Sequence, residues 1–228
     1  MTWTRLEDGR RPVRVIAAAV ALLAAAFAIA AALAPPASAQ DDGGPKQVVI
    51  AENIDDFTQK SRSGTQVASF SGDFFNSENL AIAASAGCNR CDSVAVAVQA
   101  VLVGSTPSVF TPRNAATAAT GGCTHCVSYA YASQYIVPAG TPVRLSEDGR
   151  DRVRRIRHRI ADVAETPIPN EPDQALLTLQ AMTADLDALV ARLRSVIDAE
   201  LLEAGIPSTS SPEESVSGEI DGTAVPAG

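Results

Sequence analysis

Aromatic side chains are almost missing from this sequence. They make up 4% of 228 residues, although 46% of the chain is hydrophobic. Most of the apolar content is Ala and Val, so any core is built from small side chains. At about 25 cal/mol per Å² of buried apolar area, such a core stabilises weakly and calls for covalent help. Histidine is limited to His125 and His158, and lysine to Lys46 and Lys60. There is no H-E-x-x-H, and no Ser-His-Asp set, paired-carboxylate motif or phosphate loop. The reading is therefore non-enzymatic. The formal charge of −8 leaves no general basic surface for nucleic acid.

The N-terminal segment has three parts. Arg5, Arg10, Arg11 and Arg14 form a positive start, Val15 to Ala34 runs apolar without a charge, and Pro35-Pro36 break it. Ala37-Ser38-Ala39 then fits a small-x-small cleavage site, so residues 1–39 read as a secretory signal peptide with Ala37 and Ala39 at the cut. The competing reading is an uncleaved membrane anchor, since about 20 apolar residues span a bilayer. Arg10-Arg11 also raises twin-arginine export. Either main reading places residues 40–228 outside the cytoplasm, secreted or in the cell envelope. Cleavage removes four arginines and two acids, which takes the net charge from −8 to −10.

The most informative stretch occurs twice. Residues 79–99 and 114–134 share Asn, three Ala, Gly, Cys, Cys, Ser, two Ala and Gln at a constant offset of 35. This is a duplicated supersecondary unit. Val94, Val96 and Val98 alternate with Ser93, Ala95, Ala97 and Gln99, the period of a strand. In the second copy Val127, Tyr129, Tyr131 and Tyr135 take the large face, and Ser128, Ala130, Ala132 and Gln134 the small one. Each unit reads as a β-hairpin with C-x-x-C at its turn. The small face leaves room for another backbone to approach closely. Asn and Gln at the unit ends either pair between stacked copies or satisfy backbone groups at strand ends. Residues 46–51 and 66–75 are further strand candidates, so 40–145 forms a β-rich domain.

Cys88, Cys91, Cys123 and Cys126 admit three readings. An exported chain with an even cysteine count fits structural disulfides, within or across the copies. Two C-x-x-C turns also make a four-cysteine zinc site, with His125 nearby. A redox-active pair is the third, but strand pattern rather than a helix follows each motif.

Ser146 can cap a helix over 147–165, with Val153, Ile156, Ile160 and Val163 in its stripe. Arg150, Arg154, Arg155, Arg157 and Arg159 lie on its other faces. They suit an anionic partner such as lipid headgroups, or pair with Asp185, Asp187, Asp198, Glu200 and Glu203. A second helix runs from Pro172 to Ala204, its stripe longer than the first helix can cover. The remainder needs the β region, a membrane or a second chain. An antiparallel helical hairpin over 146–205 with coiled-coil-like self-association is the simplest account. Residues 206–228 read as a disordered acidic tail. The fold class is thus α+β: a signal or anchor helix, a β-rich domain of two C-x-x-C hairpins, and a helical hairpin.

The pattern C-x-x-C-x-S-V-A-V-A-V-Q, followed by C-x-x-C-x-S-Y-A-Y-A-x-Q-Y, resembles a family of uncharacterised actinobacterial exported proteins over about residues 75–200. The Arg- and Ala-rich composition fits such a high-GC source. Some similar segments sit in chains named as peptide zinc metalloproteases, but without H-E-x-x-H that activity is not carried over. The expected function is an exported structural or protein-interaction role without a cofactor. The alternatives are a zinc or thiol-redox module, and a membrane-anchored accessory subunit.

Overall fold

The computed structural model describes residues 43–206 and the backbone of 213–222. The expected signal or anchor segment, with Ala37 and Ala39, lies outside these residues. Among them, no helix is long and apolar enough to cross a membrane.

The β region winds as three stacked rungs. The first contains β1 (Lys46–Asn53), β2 (Gln59–Phe70) and β3 (Phe74–Phe75). The second contains β4 (Glu78–Ala86), β5 (Asp92–Val103) and β6 (Val109–Phe110), and the third β7 (Arg113–Gly121) and β8 (Val127–Pro138). Equivalent strands pair in parallel: β1-β4-β7 in one sheet, β2-β5-β8 in a second, and β3-β6 at a corner. The strand–turn–strand outline expected for each unit is present. Its backbone hydrogen bonds, however, run to the neighbouring rungs and not across the hairpin. Asn79 pairs with Asn114 and Gln99 with Gln134. The reason is the small face. Alanine lets the strands on either side of each turn lie face to face in separate sheets, so their backbones must pair along the stack.

The interior is layered by residue type. Behind the cysteine turns come Ser85, Ser93 and Ser128, with hydroxyls 2.9–3.2 Å apart. Next is an apolar layer of Ala81, Ala83, Ala95, Ala97, Ala130 and Ala132, all fully buried. Gly64 holds the first-rung place of Ala97, and a Cβ there would sit 2.8 Å from the Val49 Cγ2. Beyond it run two amide columns. Gln47 donates to Asn79 and Asn79 to Asn114 (3.2 and 2.7 Å). Gln134 donates to Gln99 and Gln99 to Gln66 (2.7 and 2.8 Å). Asn79 also serves strand backbones, donating to Ala97 O and Ser133 O, so both expected roles of these amides are realised. Phe75, Val101, Val103 and Ile136 close the far corner.

Gln99 is the junction of the second column, because its carbonyl also accepts from Ser77 Oγ at 2.7 Å. Gln99→Leu keeps the volume but removes the donor to Gln66 and an acceptor from both Ser77 and Gln134, which keep Pro45 O and Ser77 Oγ respectively. A loss of about 1–3 kcal/mol is expected, read by urea denaturation. A variant as stable as the parent would show that these amides contribute nothing net.

Two helices cover the outer face of the β2-β5-β8 sheet: α1 (Glu147–Ala164) and α2 (Pro172–Glu203). Ser146 caps α1, its hydroxyl accepting from Gly149 N at 2.9 Å. The buried Glu200 carboxylate accepts from Ser146 N and Oγ (2.6 and 2.8 Å). This sets the end of α2 against the start of α1, so the hairpin is antiparallel. Gly149 has no side chain in the path of that carboxylate. Gly205, at φ 72°, ends α2 with Ile206 N bonded to Leu201 O. The α2 stripe, including Leu179, Met182, Leu186, Leu193 and Ile197, forms one core with Val94, Val96, Val98, Tyr129, Tyr131 and Tyr135. Of the three covers open to this stripe, the β region takes the part buried within the chain, and Leu176 is left 50% exposed.

The tail expectation is corrected over Glu213–Gly222, and residues 207–212 and 223–228 lie outside the described residues. Residues Glu213–Gly222 form β9, antiparallel to β8. The backbone groups on the open edge of β8 recruit a strand whatever its side-chain polarity.

Candidate disulfide and metal centre

Each C-x-x-C forms the tight turn between its two strands. Gly87 and Gly122 precede the motifs at φ 67° and 62°, a conformation glycine adopts at little cost. Arg90 and His125 follow inside them at φ 51° and 55°. The turns stack: Arg90 N donates to Thr124 O (2.8 Å) and Thr124 N to Cys88 O (3.2 Å). The stacking brings all four sulfurs within 4.8 Å of one another, three on buried residues. Cys88 and Cys91 are joined as a disulfide, and Cys123 and Cys126 are thiols. Of the expected pairings the within-pair bond is present in the second rung. Cys91 Sγ also lies 2.9 Å from Cys126 Sγ and 3.9 Å from Cys123 Sγ.

The first rung makes the same turn without cysteine. Phe57, at φ 57°, donates its N–H to Asn89 O (2.9 Å), and Asp92 N donates to Thr58 O (3.0 Å). Asp55 and Thr58 therefore stand where the later rungs carry cysteines. The Asn53 carboxamide holds this turn, accepting from Asp55 N and Thr58 Oγ1 and donating to Thr58 O and Asp92 O. The sulfur cluster is thereby confined between rungs two and three.

Burial pushes the Cys126 thiol up to about 12. It is a neutral thiol at neutral pH, whereas redox-active pairs have a lowered thiol pKa. Asp92, just after the second-rung motif, accepts from Val127 N at 2.9 Å. Burial raises its carboxyl to about 6, and that hydrogen bond pulls the other way. The sequence reading missed Asp92, since a lone acid after a C-x-x-C carries no signal until the register sets it under Val127.

A tetrahedral zinc tetrathiolate has Zn–S bonds of about 2.3 Å, which puts its sulfurs about 3.8 Å apart. The Cys91–Cys123 and Cys88–Cys123 separations of 3.9 and 4.0 Å match that edge. Cys91–Cys126 at 2.9 Å is shorter than that edge and Cys88–Cys91 are bonded, so the quartet suits a thiophilic cation by donor type and proximity, once reduced and slightly spread. His125 is exposed and stands outside the quartet.

The five arginines named from the sequence do not form one surface. Arg150, Arg154 and Arg157 face a groove between α1 and β2. Arg155 and Arg159 face another between α1 and α2, joined there by Arg152, His158 and Arg192. The pairing expected with the α2 acids is met at Glu200, which Arg152 approaches to 3.5 Å. Asp187 and Asp198 instead accept from Tyr131 and Tyr135, each at 2.8 Å. Burial raises the pKa of both phenols, and the neighbouring carboxylates add to the shift. Comparison with family models, with curated proteins and with solved structures finds no match to this chain.

Proposed function

We propose that this protein is a non-enzymatic exported module, in the cell envelope or secreted, with a structural or protein-interaction role. The observation that carries the reading is the use made of its repeated polar residues. Serine, asparagine and glutamine, the residue types that recur in the repeat, are spent on hydrogen bonds between rungs. They build a rigid stack and leave the helical hairpin and the outer sheet face for contact. Fractionation of the producing cell, with intact mass of the recovered chain, tests this. The expected result is a chain in the envelope or medium, cut after Ala39 or still anchored as an accessory subunit. A chain confined to the cytoplasm overturns the reading.

The four-cysteine cluster supports a second reading, a tetrathiolate metal site that staples rungs two and three. Anaerobic reduction followed by cobalt(II) or zinc titration separates it from simple disulfide stapling. A metal site takes up about one ion per chain, with tetrathiolate absorption that Cys126→Ser removes. Disulfide stapling gives no uptake. Reduction alone then costs about 2 kcal/mol for so short a loop, a melting-temperature drop of about 4–8 °C. Unchanged melting after reduction, with no ion bound, removes both staples.

A further inference from the structure

The geometry points to the groove between α1 and α2 as a docking site for the phosphodiester headgroups of an anionic phospholipid surface. The inference rests on the exported interaction module proposed above and names its partner. The groove encloses about 560 Å³. Its floor is apolar, made by Ile156, Leu189 and Val196, and its rim is Arg152, Arg155, Arg159 and Arg192 with His158. Arg155, Arg159 and Arg192 are exposed and have no ion pair among the described residues.

The lack of pairing has a structural cause. Two acids of α2 are turned away from this rim. Asp187 and Asp198 are held by tyrosines of β8 beneath the helix. Glu200, held at the start of α1 by Ser146, pairs with Arg152 alone, which Asp148 also meets, so Arg152 is the neutralised member of the rim. A chain of net charge −8 thus keeps a concentrated positive rim around an apolar floor. Guanidinium groups bind phosphate oxygens in pairs, and the floor suits the glycerol and upper acyl carbons just below a headgroup. An acidic protein segment matches the rim but has no comparable use for the floor. On the exported reading, the apolar run Val15–Ala34 brings this chain to or through a membrane.

The test is sedimentation of the exported protein with two kinds of vesicle, pure phosphatidylcholine and phosphatidylcholine with about one-third phosphatidylglycerol. If residues 15–34 are retained they favour both kinds alike, so the readout is the ratio of the two partition coefficients. Near an anionic surface each arginine contributes about fivefold. Arg155→Gln/Arg159→Gln/Arg192→Gln is therefore expected to lower the ratio on the order of 100-fold. The charge-matched control Arg62→Gln/Arg90→Gln/Arg113→Gln, on the solenoid, leaves it unchanged. All six side chains lie outside the buried core, so both variants should melt with the parent. The proposal is overturned by equal partition onto both vesicles, or by equal loss in the two variants. It is overturned too if a polyglutamate peptide binds the groove while neither vesicle does. Localisation is measured independently by fractionation, so an exported chain that ignores anionic vesicles defeats this inference alone.

Discussion

Replacing Ala97 and Ala132 together with leucine is expected to produce one of the two largest losses of stability available in this chain. Both alanines are fully buried, and they are register partners in β5 and β8. Their methyl groups meet Ala81, Ala83 and Ala118 of the opposing sheet in a core made almost wholly of alanine. Leucine adds three heavy atoms at each place, where the two sheets are already as close as small side chains allow. Overpacking costs about 1–3 kcal/mol per site. The two costs will not simply add, because the first substitution prises the sheets apart and makes room for the second. Ala84→Leu is the control: Ala84 alternates outward in β4 and is only partly buried, so its change should stay within about 0.5 kcal/mol. Urea denaturation of the three proteins decides the matter. A double variant as stable as the parent would mean that the sheets are not held together by close approach at this layer.

The second large effect concerns the hold of the helical hairpin on the solenoid. Leu186 is fully buried near the middle of α2, in the core shared with the valines of β5 and the tyrosines of β8. Leu186→Ala removes most of a leucine from a site with helix on one side and sheet on the other, so the cavity has little freedom to collapse. A loss of about 2–5 kcal/mol is expected. Leu202→Ala, with its side chain 76% exposed, should cost almost nothing. If α2 is held within the chain, the transition midpoint of the Leu186 variant will not depend on protein concentration. A strong concentration dependence would show that a second chain shares the work of covering this helix.

The repeats illustrate how far local pattern reaches. The offset of 35 and the alternation of Val or Tyr with Ser and Ala were readable, and they locate β4, β5, β7 and β8 closely. By its sequence the first rung is two loose strand candidates and not a third copy. Its offset from the second shortens to 32 in one arm and 33 in the other, and Asp55 and Thr58 replace the cysteines. What it keeps is the amide column, with Gln47 above Asn79 and Gln66 above Gln99. Hydrogen bonds of this kind tolerate exchange of Asn for Gln, so they keep position while erasing identity. A search for amides at the repeat spacing, rather than for cysteine, was the signal that could have found the rung.

Helix ends and stripes were determined by the sequence itself. Ser146, Pro172 and Gly205 act through their own backbone and side-chain geometry, and the 3.6-residue period marks which face must be buried. The cysteine spacing likewise determined that sulfurs would meet at a turn. Tertiary structure decided everything that depends on which surface meets which. It turned hairpin-like units into a parallel stack, because alanine faces permit two sheets to close on each other and leave the backbone to pair lengthwise. It chose the β2-β5-β8 sheet to cover α2. It also divided the arginines of α1 between two grooves and turned the α2 acids toward tyrosine. These outcomes join residues far apart in the chain, and no local period or spacing records which partner a face will find.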